Sequence, residues 1–438
     1  MRSASLSRPI PTVADRQRWV QARVAVAIPV TCDAPERQGF VHQTILAVVW
    51  LTFALSSIVF TEPAPVDLML IGLVALLPAA GLITVTPALM VYVSLWSIPA
   101  AFGFLAATQS HDTATSAIFT AISLYLYVAS FVLAAFVARA PERHCNLILS
   151  GWTFAAVIAA LAAIAGYFQL IPGAAELFTK FDRASGPSKD PNVFGPFLVA
   201  PFLYTLHLVL TRSWRTAPFA LLAGAMLALA VLLSFSRGAW FNLIAALGIY
   251  GGLAFATARN QQQRNKIVGL VLAGAGLLAV VTLAAMQDDK LAGFFAERSS
   301  LTQSYDVGPA GRFGGQEKAM RLLLEHPFGI GAGEFTSIYH TEEVHNVFLS
   351  MFLNAGWLGG LMYWMMVGLT VIAGCQHVMI KTEAQPLFLI AFAAFLATAL
   401  EGVVIDSDHW RSFYVLMALV WGLASSPGHK ARVGGLIR

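Results

Sequence analysis

Charged residues are scarce in this 438-residue chain. Asp, Glu, Lys and Arg together make up 11% of it, whereas soluble domains carry about 25%. The sequence is 58% hydrophobic, with a mean hydropathy of +0.71. This composition excludes an ordinary soluble domain, and a net charge of +4 gives no reason to expect a nucleic-acid partner. The composition predicts a membrane protein whose immediate partner is the lipid bilayer.

Cysteine is also rare. Cys32, Cys145 and Cys375 lie far apart, and none of their spacings is typical of a metal site. All three fall on the side of the membrane that the charge distribution below assigns to the cytoplasm, where disulfides seldom form. We therefore expect no disulfide, no metal site and no cofactor.

Long apolar runs are abundant, and each can cross a hydrocarbon layer about 30 Å thick. Lipid leaves free backbone groups unsatisfied, so such runs must be helical. The sequence thus predicts an all-α, polytopic membrane helix bundle with about twelve transmembrane helices. The runs are 43–60, 66–83, 87–107, 115–138, 146–170, 192–211, 216–234, 238–257, 266–286, 346–373, 386–403 and 409–425.

The distribution of Lys and Arg predicts the orientation. With both termini in the cytoplasm, 17 of the 27 basic residues lie in inside segments, and five lie in short outside segments. The remaining five lie in the long polar loop 287–344, and long loops are translocated largely regardless of charge. We therefore predict cytoplasmic termini and an outward-facing loop.

Three regions follow from this pattern: an N-terminal cytoplasmic tail (1–40), a single membrane domain (41–426) that includes the loop 287–344, and a C-terminal cytoplasmic tail (427–438). Inside the loop, apolar residues recur at helical spacing from Arg312 to Glu325, which predicts a short amphipathic helix. A second short helix is predicted near residues 335–340.

The predicted spans contain few ionisable residues. Glu401 and Arg411 are near outward ends of their runs, and the middles of the runs carry almost no charge. Transporters tend to place charged or broken segments at mid-membrane. The pattern favours a site on the outward face over a polysaccharide lipid transporter.

Three motifs on that face resemble the O-antigen ligase family of bacterial membrane glycosyltransferases, which also includes O-antigen and exopolysaccharide polymerases. They are Ser236-Arg237-Gly238-Ala239, the stretch from Gly311-Arg312 through His326-Pro327 to Phe335, and His345-Asn346 with Gly356 and Gly359 behind it. The segment 190–195 also looks like the upstream part of such proteins. The similarity covers roughly residues 180–375.

The resemblance implies an enzyme of the bacterial inner membrane that needs no metal. It would move a glycan from undecaprenyl diphosphate to an acceptor hydroxyl at the periplasmic face. The acceptor is a lipid A-core sugar in a ligase and a second lipid-linked repeat unit in a polymerase, and the sequence does not separate the two. By resemblance, Arg237, Arg312 and His345 are the catalytic residues. This chain has Gly315-Gln316-Glu317 where many members carry an aromatic residue, so Arg321 is the alternative to Arg312.

The residue types suit this chemistry. A guanidinium pairs bidentately with phosphate oxygens and stays protonated, which stabilises a diphosphate leaving group. A histidine can accept the acceptor's proton. Single displacement with one base predicts inversion at the anomeric carbon. The predicted substrate-binding residues are Lys189, Asn192, Arg321 and Asn346.

Each of these residues also has a structural interpretation. Arg237 could anchor a helix at the interface, Arg312 could be solvated, and His345 could simply end a loop while Asn346 caps the next helix. Asp190-Pro191 is typical of a helix start. A non-catalytic scaffold of a polysaccharide export complex would leave Arg237 and His345 replaceable.

Overall fold

Helices account for nearly all regular structure in the computed structural model, which describes residues 39–211, 215, 217–285, 287, 293 and 308–426. The predicted tails 1–40 and 427–438 lie almost wholly outside these residues. Fifteen α-helices occur within the described ranges: α1 (Phe40–Ala54), α2 (Pro65–Ala79), α3 (Pro87–Ala107), α4 (Thr113–Arg139), α5 (Pro141–Tyr167), α6 (Ala174–Phe178), α7 (Pro191–Phe197), α8 (Val199–Thr211), α9 (Ala217–Leu233), α10 (Arg237–Thr257), α11 (Gln261–Ala285), α12 (Arg312–Glu325), α13 (Val347–His377), α14 (Gln385–Glu401) and α15 (Arg411–Ala424).

The predicted all-α membrane architecture is confirmed. Each of the twelve apolar runs coincides with helix, and the one sheet among the described residues has two strands of two residues each. Six helical segments are long and apolar enough to cross a membrane, and α1, α2, α9, α14 and α15 are shorter apolar helices. A count of about twelve spans is therefore not confirmed. The six are α3, α4, α5, the segment Pro191–Thr211 formed by α7 and α8, α10 and α13.

Two compact units divide the chain, residues 1–44 and 45–438. The described part of the first unit, residues 39–44, begins helix α1. The second unit contains the remaining elements, and α13 packs on α3, α15 on α4, and α10 on α14.

Connections between the helices of the second unit meet at one end of the bundle, which we call the loop end. Six connections lie at this end, since contacts between their residues join them. The loop-end connections are 55–64, 108–112, 168–190, 234–236, the described part 308–346, and 402–410. Hydrogen bonds between them join Val59 with Pro187, Arg183 with Ser234, His111 with Glu334, and His345 with Asp406.

A small hairpin at the loop end places an arginine in the interior. Strands β1 (Thr179–Lys180) and β2 (Arg183–Ala184) pair antiparallel across the two-residue turn Phe181-Asp182. Both turn residues have positive φ, as in the tight turns that match strand twist. The buried Arg183 at the start of β2 then donates through Nε to Ser234 O at 2.7 Å. The hairpin thereby fixes the connection that precedes α10.

The polar loop folds onto a break in α13. Gly356 has φ 66° and ψ −176°, which interrupts the helix. Leu353 O, before the break, accepts a hydrogen bond from Ile330 N at 2.8 Å, and Trp357 N, after it, donates to Pro327 O at 2.9 Å. A broken helix must have its freed backbone groups satisfied in this way at membrane depth. The stretch after α12 is thus anchored to the membrane helix.

A small hydrophobic core lies under α12. It combines residues of α12, of the stretch that follows it and of the first turns of α13. The predicted amphipathic helix has the bounds Arg312–Glu325, and a π-helical segment runs over Phe335–Tyr339, so both predicted helical segments of the loop are present. The buried members of this core are Ala319, Leu322, Ile330, Phe335, Val344, Leu349 and Leu353.

Glu334 ties the loop to a second connection. Glu334 is 5% exposed, and its carboxylate accepts hydrogen bonds from His111 N at 2.7 Å and Asp112 N at 3.2 Å. Nearby, Ala332 N donates to Ser116 Oγ at 2.9 Å. These contacts hold the part of the loop after α12 against the start of α4.

Candidate active site

Arg237 is the first residue of α10. Ser236 caps this helix, since its side chain accepts a hydrogen bond from Ala239 N at 3.3 Å. The next residue, Gly238, faces Glu401: a Cβ on Gly238 would lie 2.5 Å from Glu401 Oε1. Glycine at this position therefore allows the start of α10 to approach the end of α14.

The same end of α14 contacts the start of α13. Val347 N donates to Gly402 O at 2.9 Å. Glu401 itself is fully buried, and its Oε2 accepts a hydrogen bond from Asn242 Nδ2 at 2.7 Å. Glu401 and Gly402 thus link the helix that begins at Arg237 to the helix that begins just after His345.

His345 precedes α13 and is held from both sides. Its backbone N donates to Asp406 Oδ2 at 2.7 Å, and its carbonyl accepts a hydrogen bond from Gln316 Nε2 at 3.2 Å. Its side chain is 28% exposed, and Nε2 lies 3.8 Å from Glu342 Oε2. The backbone has φ 51°, a conformation that non-glycine residues seldom adopt. The backbone of His345 is therefore held in place, and its imidazole remains accessible.

The geometry of α12 distinguishes its two arginines. Residues four apart on a helix share a face, so Arg312 lies on the same face as Gln316, which contacts His345. Arg321 points elsewhere and forms an exposed ion pair with Glu317. The structure therefore brings Arg312, and not Arg321, towards His345.

The environment of His345 changes its titration. Burial lowers the pKa of His345, and the positive charge of Arg312 lowers it further. Asp406, Glu342 and Asp190 act in the opposite direction without reversing the shift. The lowered pKa favours the uncharged imidazole, the form that can accept a proton.

Three of the four predicted substrate-binding residues lie outside α12. Lys189 Nζ forms an ion pair with Glu62 at 3.2 Å. Asn192 Oδ1 accepts a hydrogen bond from Arg183 Nη2 at 2.7 Å. Asn346 caps α13, its side chain accepting from Leu349 N at 3.3 Å.

The segment before α7 follows its predicted geometry. Asp190 caps α7, with Oδ1 accepting from Asn192 N at 2.7 Å, and Pro191 is the first residue of the helix. The structural interpretation of Asp190-Pro191 and the capping role of Asn346 are thus confirmed. Substrate contacts by Asn192 and Asn346 stay predictions.

A cavity of about 260 Å³ opens at the loop end beside these residues. Its lining combines ionisable side chains with apolar and aromatic ones. The polar lining includes Glu62, Lys189, Asp190, Asp406, His409 and Arg411. The apolar lining includes Phe53, Leu70, Trp152, Phe197, Trp410 and Val415.

Asp406 is the residue of the site that sequence reasoning missed. Its carboxylate accepts from His345 N, from Asn346 N at 3.3 Å and from Ser350 Oγ at 2.6 Å. In the sequence it appears as one of three ionisable residues, Asp406, Asp408 and His409, which are also metal-ligand types. The described residues contain no group of three such side chains arranged to hold a metal ion. One sign of its role is visible in the sequence, since Asp406 lies in a connection that is predicted to face outward.

These features define a multi-pass membrane protein with an accessible histidine and arginines where the helix connections meet. Residues 219–364 match the family model described as O-Antigen ligase, and the match contains Arg237, Arg312 and His345. The match confirms, over these residues, the resemblance to the O-antigen ligase family that the motifs predict. This family comprises membrane glycosyltransferases of the ligase and polymerase type. No curated protein matches the chain.

Proposed function

We propose that this protein is an inverting, metal-independent glycosyltransferase of the bacterial inner membrane. It moves a glycan from undecaprenyl diphosphate to a sugar hydroxyl on lipid A-core at the periplasmic face. The observation that carries the proposal is the position of His345, held between Asp406 and the face of α12 that presents Arg312. An uncharged imidazole next to a guanidinium is the pair that hydroxyl attack on a lipid diphosphate requires.

The reaction is a single displacement. His345 accepts the proton of the acceptor hydroxyl as its oxygen attacks the anomeric carbon. The bond from that carbon to the phosphate oxygen breaks, and undecaprenyl diphosphate leaves with the electron pair. Arg237 and Arg312 neutralise the charge that develops on the diphosphate. Positioning of both lipid-linked substrates at the membrane surface contributes further acceleration.

The test is replacement of His345 in cells. His345→Ala is expected to lower transfer by about 10²–10⁴-fold, the usual contribution of a general base. Surface glycan on gels gives the readout, and immunoblotting checks that the protein level is unchanged. An intact glycan ladder at normal protein level contradicts the assignment and favours a non-catalytic scaffold. His377→Ala is the matched control, since His377 lies in the last turn of α13, at the far end of that helix from His345, and its loss should leave the ladder intact.

The alternative is an O-antigen or exopolysaccharide polymerase, which uses the same donor with a second lipid-linked unit as acceptor. Deletion of the protein separates the two. A ligase deletion leaves bare lipid A-core and long glycans on undecaprenyl diphosphate. A polymerase deletion leaves single, unpolymerised units.

A further inference from the structure

The cavity at the loop end shares a residue with the environment of His345. Asp406 lines the cavity, and the same carboxylate accepts the hydrogen bond from His345 N. Asp190 also lines the cavity, and its charge acts on His345. A ligand in this cavity therefore lies close to the proposed base.

Helix α7 separates the cavity from Arg237. Val193 and Phe197 of α7 line the cavity. Gly195, between them, packs in another direction, against Ala239 in the first turn of α10. The cavity and the start of α10 thus contact different faces of α7, so the cavity is a binding position separate from the one beside Arg237.

The charges of the cavity do not suit a diphosphate. Its lining has three carboxylates against one lysine and one arginine, and both cations are already paired. Lys189 lies 3.2 Å from Glu62, and Arg411 binds Asp67 bidentately at 2.5 and 2.7 Å. An excess of negative charge repels an anionic ligand. This opening favours a ligand without a negative charge.

The mixture of aromatic and carboxylate side chains suits a sugar better than a hydrocarbon chain. Trp152, Trp410 and Phe197 give aromatic surface for the apolar face of a ring, and the carboxylates can accept hydrogen bonds from its hydroxyls. A volume of about 260 Å³ is just below the range of about 300–1,000 Å³ for small-molecule sites, which leaves room for a sugar unit but not for a long glycan.

We propose that this cavity binds the terminal sugar of the acceptor and selects a sugar that carries no phosphate or carboxylate. The inference rests on the proposed function, because it assigns the acceptor side of that reaction. The carboxylates of Glu62 and Asp190 accept hydrogen bonds from sugar hydroxyls. The hydroxyl that reacts points past Asp406 towards His345.

A cavity-filling substitution tests the location. Val193→Trp places a large ring in the cavity from a position that is 37% exposed. With full-length protein in lipid nanodiscs, and with donor and acceptor extracted from a deletion strain, it should raise the KM for acceptor about tenfold, a loss of about 1.4 kcal/mol of binding. The KM for donor should stay within about twofold of its original value.

Ile171→Trp is the matched control, because Ile171 is also an exposed apolar residue at the loop end and does not line the cavity. It should change neither KM. An unchanged acceptor KM in Val193→Trp overturns the proposal. So does a selective rise in the donor KM, which would mean that the cavity holds the donor lipid.

A charge test uses two competitors that differ by one phosphate, glucose and glucose 6-phosphate. Glucose should inhibit transfer at a concentration about fivefold lower than glucose 6-phosphate. Glu62→Gln removes one negative charge at an exposed position and should narrow this difference. Equal inhibition by both, or no inhibition by glucose, contradicts the proposed selectivity.

The two proposals fail in different ways. Transfer that survives His345→Ala contradicts the proposed function itself. If His345→Ala abolishes transfer and Val193→Trp leaves the acceptor KM unchanged, the acceptor site is wrong and the catalytic assignment stands.

Discussion

His345 is constrained more tightly than a histidine at the end of a loop needs to be. Its φ of 51° is maintained by the Asp406 carboxylate on its N–H and by Gln316 on its carbonyl. Phe235, two residues before Arg237, has a similar φ of 45°. Such conformations cost free energy and persist where the surrounding structure imposes them, often at functional sites. Here one such conformation is at His345 and the other is two residues before Arg237, and the motifs predicted both His345 and Arg237 as catalytic.

The pH dependence of activity should report the charges around His345. A general base works when uncharged, so activity falls as pH drops through the pKa of His345. Arg312 lowers that pKa, so Arg312→Gln should move the acid limb of the pH–rate profile to higher pH. The rate itself should drop about 10²–10³-fold, since a preorganised positive group is lost. Transfer rates between pH 4 and 8 measure both effects.

Arg321→Gln provides the control for that measurement. Arg321 lies on the same helix and pairs with exposed Glu317, so the acid limb should stay where it is. Asp406→Asn should move the limb to lower pH, because Asp406 raises the pKa of His345. If Arg321→Gln shifts the profile and Arg312→Gln does not, Arg321 is the functional arginine of the loop.

At the level of elements, the break in helix α13 gives a structural reason for a motif that the sequence alone does not explain. The stretch His326-Pro327-Phe328-Gly329 and the distant Gly356 are both part of the resemblance. In the fold, Pro327 O accepts the hydrogen bond from Trp357 N that the break at Gly356 leaves free. The motif and the break therefore contact each other. This contact sets the position of α12 and, with it, the position of Arg312.

Gly356→Ala should destabilise this contact. Its φ of 66° disfavours a side chain, and a Cβ would lie 2.8 Å from Pro327 O. Strain of this kind costs about 1–3 kcal/mol. We expect a lower midpoint of thermal unfolding in detergent, together with faster proteolysis of the loop near α12.

Gly368→Ala is the comparison within the same helix. Nothing lies within 4 Å of a Cβ there, so alanine should be neutral or stabilising by about 0.5–1 kcal/mol. Equal unfolding midpoints for the two variants would mean that the break carries no strain.

Local elements could be predicted from the sequence, and their contacts could not. Hydrophobic spacing and the His326-Pro327 stop gave the bounds Arg312–Glu325, and residue types identified the caps Asp190 and Asn346. Helix bounds and caps depend on neighbours within a few residues of the chain. Asp406 lies 61 residues from His345, so their hydrogen bond depends on how α13, α14 and α15 pack. The cavity, lined by side chains from residue 53 to residue 415, depends on packing in the same way.

At the scale of the whole molecule, the helices bring chemically distinct residues to one end. The family match begins at residue 219 and ends at residue 364, so it contains the predicted catalytic residues but neither Lys189 nor Asp406. The cavity is built largely from segments outside that match. The residues proposed to act on the donor thus lie inside the match, and the cavity proposed for the acceptor lies outside it.

The orientation of this loop end can be tested with thiols. After the break at Gly356, helix α13 continues for about 32 Å at 1.5 Å per residue, with His345 before its first turn and the exposed Cys375 in its last turn. If the loop end faces the periplasm, a membrane-impermeant maleimide should label Lys318→Cys in intact spheroplasts. Cys375, in a chain with Cys32 replaced by serine, should react only after detergent is added. Cys145 is buried and serves as an internal unreactive thiol. The opposite labelling pattern would place His345 in the cytoplasm, where undecaprenyl-linked glycans that have already crossed the membrane could not reach it, and the periplasmic reaction would be excluded.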